Sequence, residues 1–171
     1  MNYIHPTALI APGVILGDNN YIGPYCVIGF PPEWKGKEGS PVQVIIGNNN
    51  RITGHVTIDS GAEGNTMIGN DCYIMKHAHI GHDAKLHNGV TISCGAKIGG
   101  HTIIGDGCNI GLNAVIHQKQ KIERGCMIGM GSVVTKNLQT VTFCTYAGNP
   151  AKFIKENTQH PDYIIYMKQM V

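Results

Sequence analysis

Residues 72–100 read CYIMKHAHIGHDAKLHNGVTISCGAKIGG, and a single period runs through them. Ile74, Ile80, Leu86, Ile92 and Ile98 stand six residues apart, and the position two before most of them is small: Cys72, Ala78, Ala84, Ala96. An amphipathic helix repeats every 3.6 residues and a strand every 2, so neither explains a period of six. Short strands joined by turns do. Three such sides close a triangular coil of 18 residues, which stacks on the next by parallel β-pairing. The aliphatics fill the interior, and the small residues occupy corners too tight for larger side chains.

The period extends both ways from this stretch. Upstream it holds at Ile4, Ile10, Leu16, Ile22 and Ile28, then at Ile46, Ile52 and Ile58; downstream it runs from Ile68 to Val134 without a break. Two stretches interrupt it. GFPPEWKGKEGSPVQV (29–44) puts Trp34 and Ser40 where aliphatics are due, among Pro and Gly that break strands. DSGAEGNTM (59–67) delays the next aliphatic by four residues. The expected organisation is one β-helical unit over 1–150, with loops near 29–45 and 59–67. A tail occupies 151–171, with a short helix for which Asp162 is the N-cap. Loops on a rigid solenoid are where binding residues are expected.

Composition narrows the function. The net charge of +2 leaves no basic footprint for nucleic acid. The N-terminus MNYIHPTALIAPG has neither the basic nor the apolar region of a signal peptide, and no apolar run reaches the length of a membrane span. A cytoplasmic protein is expected. Six cysteines occur without a C-x-x-C pair, and Cys26, Cys72, Cys108 and Cys126 fall in the small inward slot, which predicts buried, reduced thiols.

Residues 18 apart lie one above another, roughly 4.8 Å apart as in any paired strands. Ile80, Ile98 and Ile116 therefore form one inward column, and the residues after each share a corner: Gly81-His82-Asp83, Gly99-Gly100-His101, His117-Gln118-Lys119. Asp59 and Ser60 fall on the level beneath. This gathers His82, Asp83, His101, His117 and Gln118 along one edge, with open backbone at Gly99 and Gly100. A histidine beside an aspartate suits a general base, the carboxylate orienting the ring and stabilising the imidazolium. No serine or cysteine recurs in that column, since Cys94 lies on another side. Direct attack by an acceptor deprotonated by His82 is the economical mechanism; the plainer alternative is a set of surface histidines on a solvated corner.

The stretches IHPTALIAPG (4–13), YIGPYCVIG (21–29), RITGHVTIDSG (51–61) and AHIGHD (78–83), then GGH (99–101) and AVIHQ (114–118), resemble the UDP-N-acetylglucosamine O-acyltransferases of lipid A synthesis. The resemblance covers roughly residues 4 to 135. It implies a left-handed parallel β-helix of hexapeptide repeats, assembled as a homotrimer with sites between subunits. It also implies His82 as general base and Asp83 as its orienting partner. Glu33, Lys35, Asp59, His79 and Gln118 are the implied sugar-nucleotide contacts. His101, Gly111, His117, Gly129, Met130 and Lys152 are implied on the acyl-donor side.

The departures from the family matter as well. Asp59 stands where the family places a histidine for the nucleotide phosphates, and an acidic group there repels a diphosphate. GMGSVV (129–134) and AGNPAKFIK (147–155) are similar to the ending of acetyl-CoA-dependent hexapeptide acetyltransferases. Met130 takes a position that is glycine in long-chain members, which predicts a shortened acyl pocket. The main expectation is transfer of a short acyl group, acetyl from CoA, to a nucleotide-linked amino sugar. The alternative is a long-chain, acyl-carrier-protein-dependent transferase. No bound cofactor is expected, only acetyl-CoA or acyl-carrier protein as co-substrate. A further alternative is a zinc-dependent hydratase of the gamma carbonic anhydrase type using His82 and His87, although no third histidine is placed to complete three protein ligands.

Overall fold

The computed structural model describes residues 1–37 and 42–169, so Ser40 lies outside the described residues. Strands of mostly two residues alternate with corners, and every third strand joins the same sheet. Among the described residues this builds three sheets of nine, seven and six strands, the faces of a triangular prism. The registers are those of the six-residue period: Ile80 faces Ile98, and Ile98 faces Ile116.

The two interruptions are absorbed at corners. Leu16 pairs with Ile46 rather than with a residue 18 away, and Ile58 with Ile80. The coil therefore resumes in register after each loop. Both loops leave at the same corner, the one linking the seven-stranded sheet to the six-stranded sheet.

Tight corners require left-handed backbone, and the chain supplies it largely with polar residues that tolerate it. Asp71, Asp83, His101, Asn113 and Lys119 all have φ between 53° and 61°. Asp83, His101 and Lys119 are the successive occupants of one such position, so the turn geometry itself stacks chemistry-bearing side chains.

The core is the aliphatic column that the period predicts. Ile22, Ile52, Ile74, Ile80, Ile92, Ile98, Ile104 and Ile128 are fully buried, each worth about 1.5–3 kcal/mol of burial. The first coil is open at its end, and Ile4 there remains 42% exposed. Cys26, Cys72, Cys108 and Cys126 are buried as expected, and Cys144 joins them. Burial pushes the Cys72 thiol up to about 11.

The C-terminal part holds a feature absent from the hexapeptide reading. Cys144–Gly148 continues the nine-stranded sheet beyond Met127–Ile128, and Ala151–Glu156 folds back antiparallel onto it. Residues 149 and 150 thus sit at the tip of a hairpin. Phe143, 1% exposed, anchors the C-terminal segment, with the rings of His160, Tyr163 and Tyr166 around it. The helix spans Tyr163–Gln169 directly after Asp162, whose carbonyl accepts the Tyr166 amide at 2.9 Å. Among the described residues no helix is long and apolar enough to cross a membrane.

Candidate active site

Asp83 is the fixed point of the corner. It is 6% exposed, and its carboxylate accepts backbone N–H groups from the second loop: Ala62 at 3.1 Å, Glu63 at 3.0 Å, and Gly64. Its Oδ2 lies 2.7 Å from His82 Nδ1. Burial alone would raise the Asp83 carboxyl. The His82 contact and the three amides outweigh it, and the group is held below the usual carboxylate range. An ionised carboxylate only accepts, so His82 Nδ1 carries the hydrogen, and in the neutral ring the lone pair is on Nε2. That is the tautomer a general base needs.

Nε2 points along the glycine gap in the next coil. A Cβ on Gly100 would come within 2.5 Å of it, so only glycine admits the ring in this orientation. His101 crosses His82 edge-on at 5.1 Å, and its Nε2 lies 3.6 Å from Asp83 Oδ2, buried and without a hydrogen-bond partner among the described residues. A cavity of about 180 Å³ opens here, lined by Glu33, Trp34, His82, His101, Gln118 and Lys119.

On the same coil, His79 Nδ1 is 2.7 Å from Thr57 Oγ1 of the level beneath, and its Nε2 is 3.7 Å from Asp59 Oδ2 on that level. That carboxylate oxygen is buried and has no hydrogen-bond partner among the described residues. Burial raises the Asp59 carboxyl above its ordinary range, with the nearby Glu33 charge acting the same way; His79 and the Glu33 amide oppose this only in part. His117 is exposed, its Nδ1 turned to the Gln118 carbonyl at 2.9 Å. Lys35 is exposed on the first loop, outside the cavity lining.

The residues expected on the acyl-donor side divide into two groups. His101 and His117 stand on the His82 corner. Gly111, Gly129 and Met130 come directly after strands of the nine-stranded sheet, at a different corner, and Lys152 pairs with Ala147 beside them. Close stacking accounts for both glycines: a Cβ on Gly111 would meet the Met130 amide nitrogen at 2.7 Å, and one on Gly129 the Ala147 Cβ at 2.9 Å. Met130 is 75% exposed. Within one chain these four residues do not meet His82.

Three potential metal-ligating atoms, from His82, Asp83 and His101, lie within 4.8 Å of one another. Asp83 already holds His82 Nδ1 and three amides, so the donor set is organised as a hydrogen-bonded dyad rather than around a central ion. His87, the other histidine of the zinc alternative, turns off at the next corner, 3.9 Å from Asp106. In one chain it faces away from His82.

Two contributions to the site escape a reading of the sequence. The amide cradle at residues 62–64 depends on loop conformation, which no side-chain pattern announces. Periodicity marks Trp34 only as a break. It is the one tryptophan of the chain, in a loop that leaves at the histidine corner, and that is an available signal.

The family described as "Bacterial transferase hexapeptide (six repeats)" matches residues 1–29, 65–100 and 83–118, and "Hexapeptide repeat of succinyl-transferase" matches 101–136. An acyl-[acyl-carrier-protein]–UDP-N-acetylglucosamine O-acyltransferase of Thermodesulfovibrio yellowstonii is 33% identical, over 59% of this chain and 54% of its own. Its counterpart in Burkholderia vietnamiensis is 38% identical, over 50% of this chain and 34% of its own. The chain thus spans about half or less of the length of these curated relatives. Among solved structures, the UDP-N-acetylglucosamine acyltransferase of Bacteroides fragilis aligns with a TM-score of 0.82 at 26% identity, over 99% of this chain and 76% of that one. The enzyme of Campylobacter jejuni gives 0.77 at 27%, over 97% and 82%. The coil is thereby the left-handed parallel β-helix that the resemblance implied. With the repeat traced through every face of the prism, the chain belongs to the hexapeptide-repeat transferases and resembles their UDP-N-acetylglucosamine O-acyltransferases.

Proposed function

We propose that this protein transfers an acyl group from a thioester to a nucleotide-linked amino sugar, with His82 as general base. The observation that carries the reading is the His82–Asp83 dyad at 2.7 Å on the wall of a cavity of about 180 Å³. His82 Nε2 takes the proton as the acceptor attacks the thioester carbonyl. The Asp83 carboxylate stabilises the resulting imidazolium. Collapse of the tetrahedral intermediate expels the thiolate, and the imidazolium returns its proton to that leaving group. The cavity that His82 lines together with Glu33, Trp34 and Gln118 leaves room for the reacting carbonyl.

The curated relatives carry acyl-[acyl-carrier-protein] in their names, which favours a carrier-protein thioester and a UDP-N-acetylglucosamine-type acceptor over the acetyl-CoA expectation. The CoA reading retains the AGNPAK hairpin and the Met130 side chain in its support. A homotrimer accounts for the divided donor group. Gly111, Gly129, Met130 and Lys152 reach a His82 only if a neighbouring copy presents them. The test is a donor screen, acyl-carrier thioesters of graded length and acetyl-CoA against UDP- and dTDP-linked amino sugars, read by mass spectrometry with light scattering in parallel. Product from a carrier thioester by a trimeric species supports the reading. Turnover by a stable monomer overturns the inter-subunit site, and transfer from acetyl-CoA alone overturns the carrier donor.

A further inference from the structure

Asp83 holds His82 at one point, Nδ1. A single hydrogen bond leaves a ring free to tilt about that contact, yet Nε2 must meet the acceptor within a narrow angular range. A second restraint on the ring plane is present. The Trp34 indole lies over the His82 imidazole, with centroids 5.0 Å apart and planes inclined by 30°, and meets His101 nearly perpendicularly at 5.8 Å. The ring fills the space where a Gly100 Cβ would stand, 2.5 Å from Nε2, and His101 crosses it at 89°.

The indole is itself held in place. The Trp34 amide donates to the Pro32 carbonyl and the Trp34 carbonyl accepts from the Lys37 amide, a tight turn that presents the ring. The Lys37 ammonium sits 5.6 Å from the indole centroid and 3.7 Å from the Glu63 carboxylate. The Glu63 amide in turn donates to Asp83. The two loops that leave at this corner therefore close a circuit around the dyad, one supporting Asp83 by its amides and the other covering His82 with an aromatic plate.

We infer that Trp34 is a positioning residue, whose face contact fixes the plane of the His82 ring for proton transfer. The inference rests on His82 being the base. A stacked plate needs an aromatic ring, not merely apolar volume, and this separates positioning from pocket filling.

Trp34→Phe is expected to keep kcat within about twofold. Trp34→Leu should lose roughly tenfold in kcat with little change in KM for either substrate, the kinetic scale of one aromatic pair. Because Trp34 is the sole tryptophan, the indole band in near-ultraviolet circular dichroism reports its packing alone. That band should weaken in His82→Ala while far-ultraviolet spectra stay unchanged. Wild-type kcat in Trp34→Leu, a loss confined to KM, or an indole band indifferent to His82→Ala each overturns the inference. An active His82→Ala variant instead overturns the general-base reading beneath it, so the two failures are distinguishable.

Discussion

His82 Nδ1 stands 2.7 Å from Asp83 Oδ2, and the same carboxylate collects the amides of residues 62–64. The base and its partner are therefore assembled by one corner and one loop. His82 sits outside the aliphatic core, so His82→Ala should leave the fold intact and lower turnover by about 10²-fold or more, the usual scale for a lost general base. Steady-state assay with the donor identified by the screen checks this; full activity removes His82 from the role.

Asp83→Asn should be destabilising in a pH-dependent way. The folded-state carboxyl is depressed below its unfolded value, so its stabilisation is fully present above the unfolded value near about 4 and lost as pH falls through the folded one. The asparagine amide also turns an N–H group towards the backbone donors, a mismatch of about 1–3 kcal/mol. Urea melts of both proteins at neutral and acid pH should converge as pH falls.

Asp59→Asn is expected to act in the opposite sense. Burial raises the Asp59 carboxyl in the folded state, so above that value the ionised group opposes folding, and stability should improve as pH falls through it towards the lower unfolded value. The substitution should raise the melting temperature at neutral pH, with the gain vanishing once both folded and unfolded carboxyls are protonated. Thermal melts across pH 3–8 on the order of unit steps would resolve it. A lower melting temperature at neutral pH contradicts the sign.

Gly100→Ala introduces a methyl 2.5 Å from His82 Nε2. The ring must swing away, and displacement of a base by as little as an ångström costs about 10²-fold in rate. Circular dichroism should show the β-helix retained while activity falls. An active Gly100→Ala enzyme would mean that the ring works in another orientation.

Met130→Gly tests the donor channel from the other corner. Met130 is 75% exposed in one chain, so the substitution should change stability by no more than about 0.5 kcal/mol. If a neighbouring copy brings it to the donor, longer acyl thioesters should gain over shorter ones. An unchanged chain-length profile would separate Met130 from the acyl channel.

The prism, its three faces and its core were legible in the sequence, because one aliphatic per side must point inward and a period of six admits no other regular arrangement. The corner of His82, Asp83, His101 and Gln118 was legible for the same reason, since residues a coil apart stack. The tertiary structure decided what periodicity does not encode. The amide cradle at Asp83 comes from the path of an irregular loop, and Trp34 over His82 comes from a second one. The division of the donor residues appears only when each strand is assigned to its sheet. Cys144–Gly148 keeps the 18-residue spacing against Met127–Ile128, whereas Ala151–Glu156 lies outside the repeat and forms by folding back antiparallel onto that strand. Periodic burial is a local rule that a sequence displays directly. Loop closure is settled by contacts between distant residues, which only the folded chain brings together.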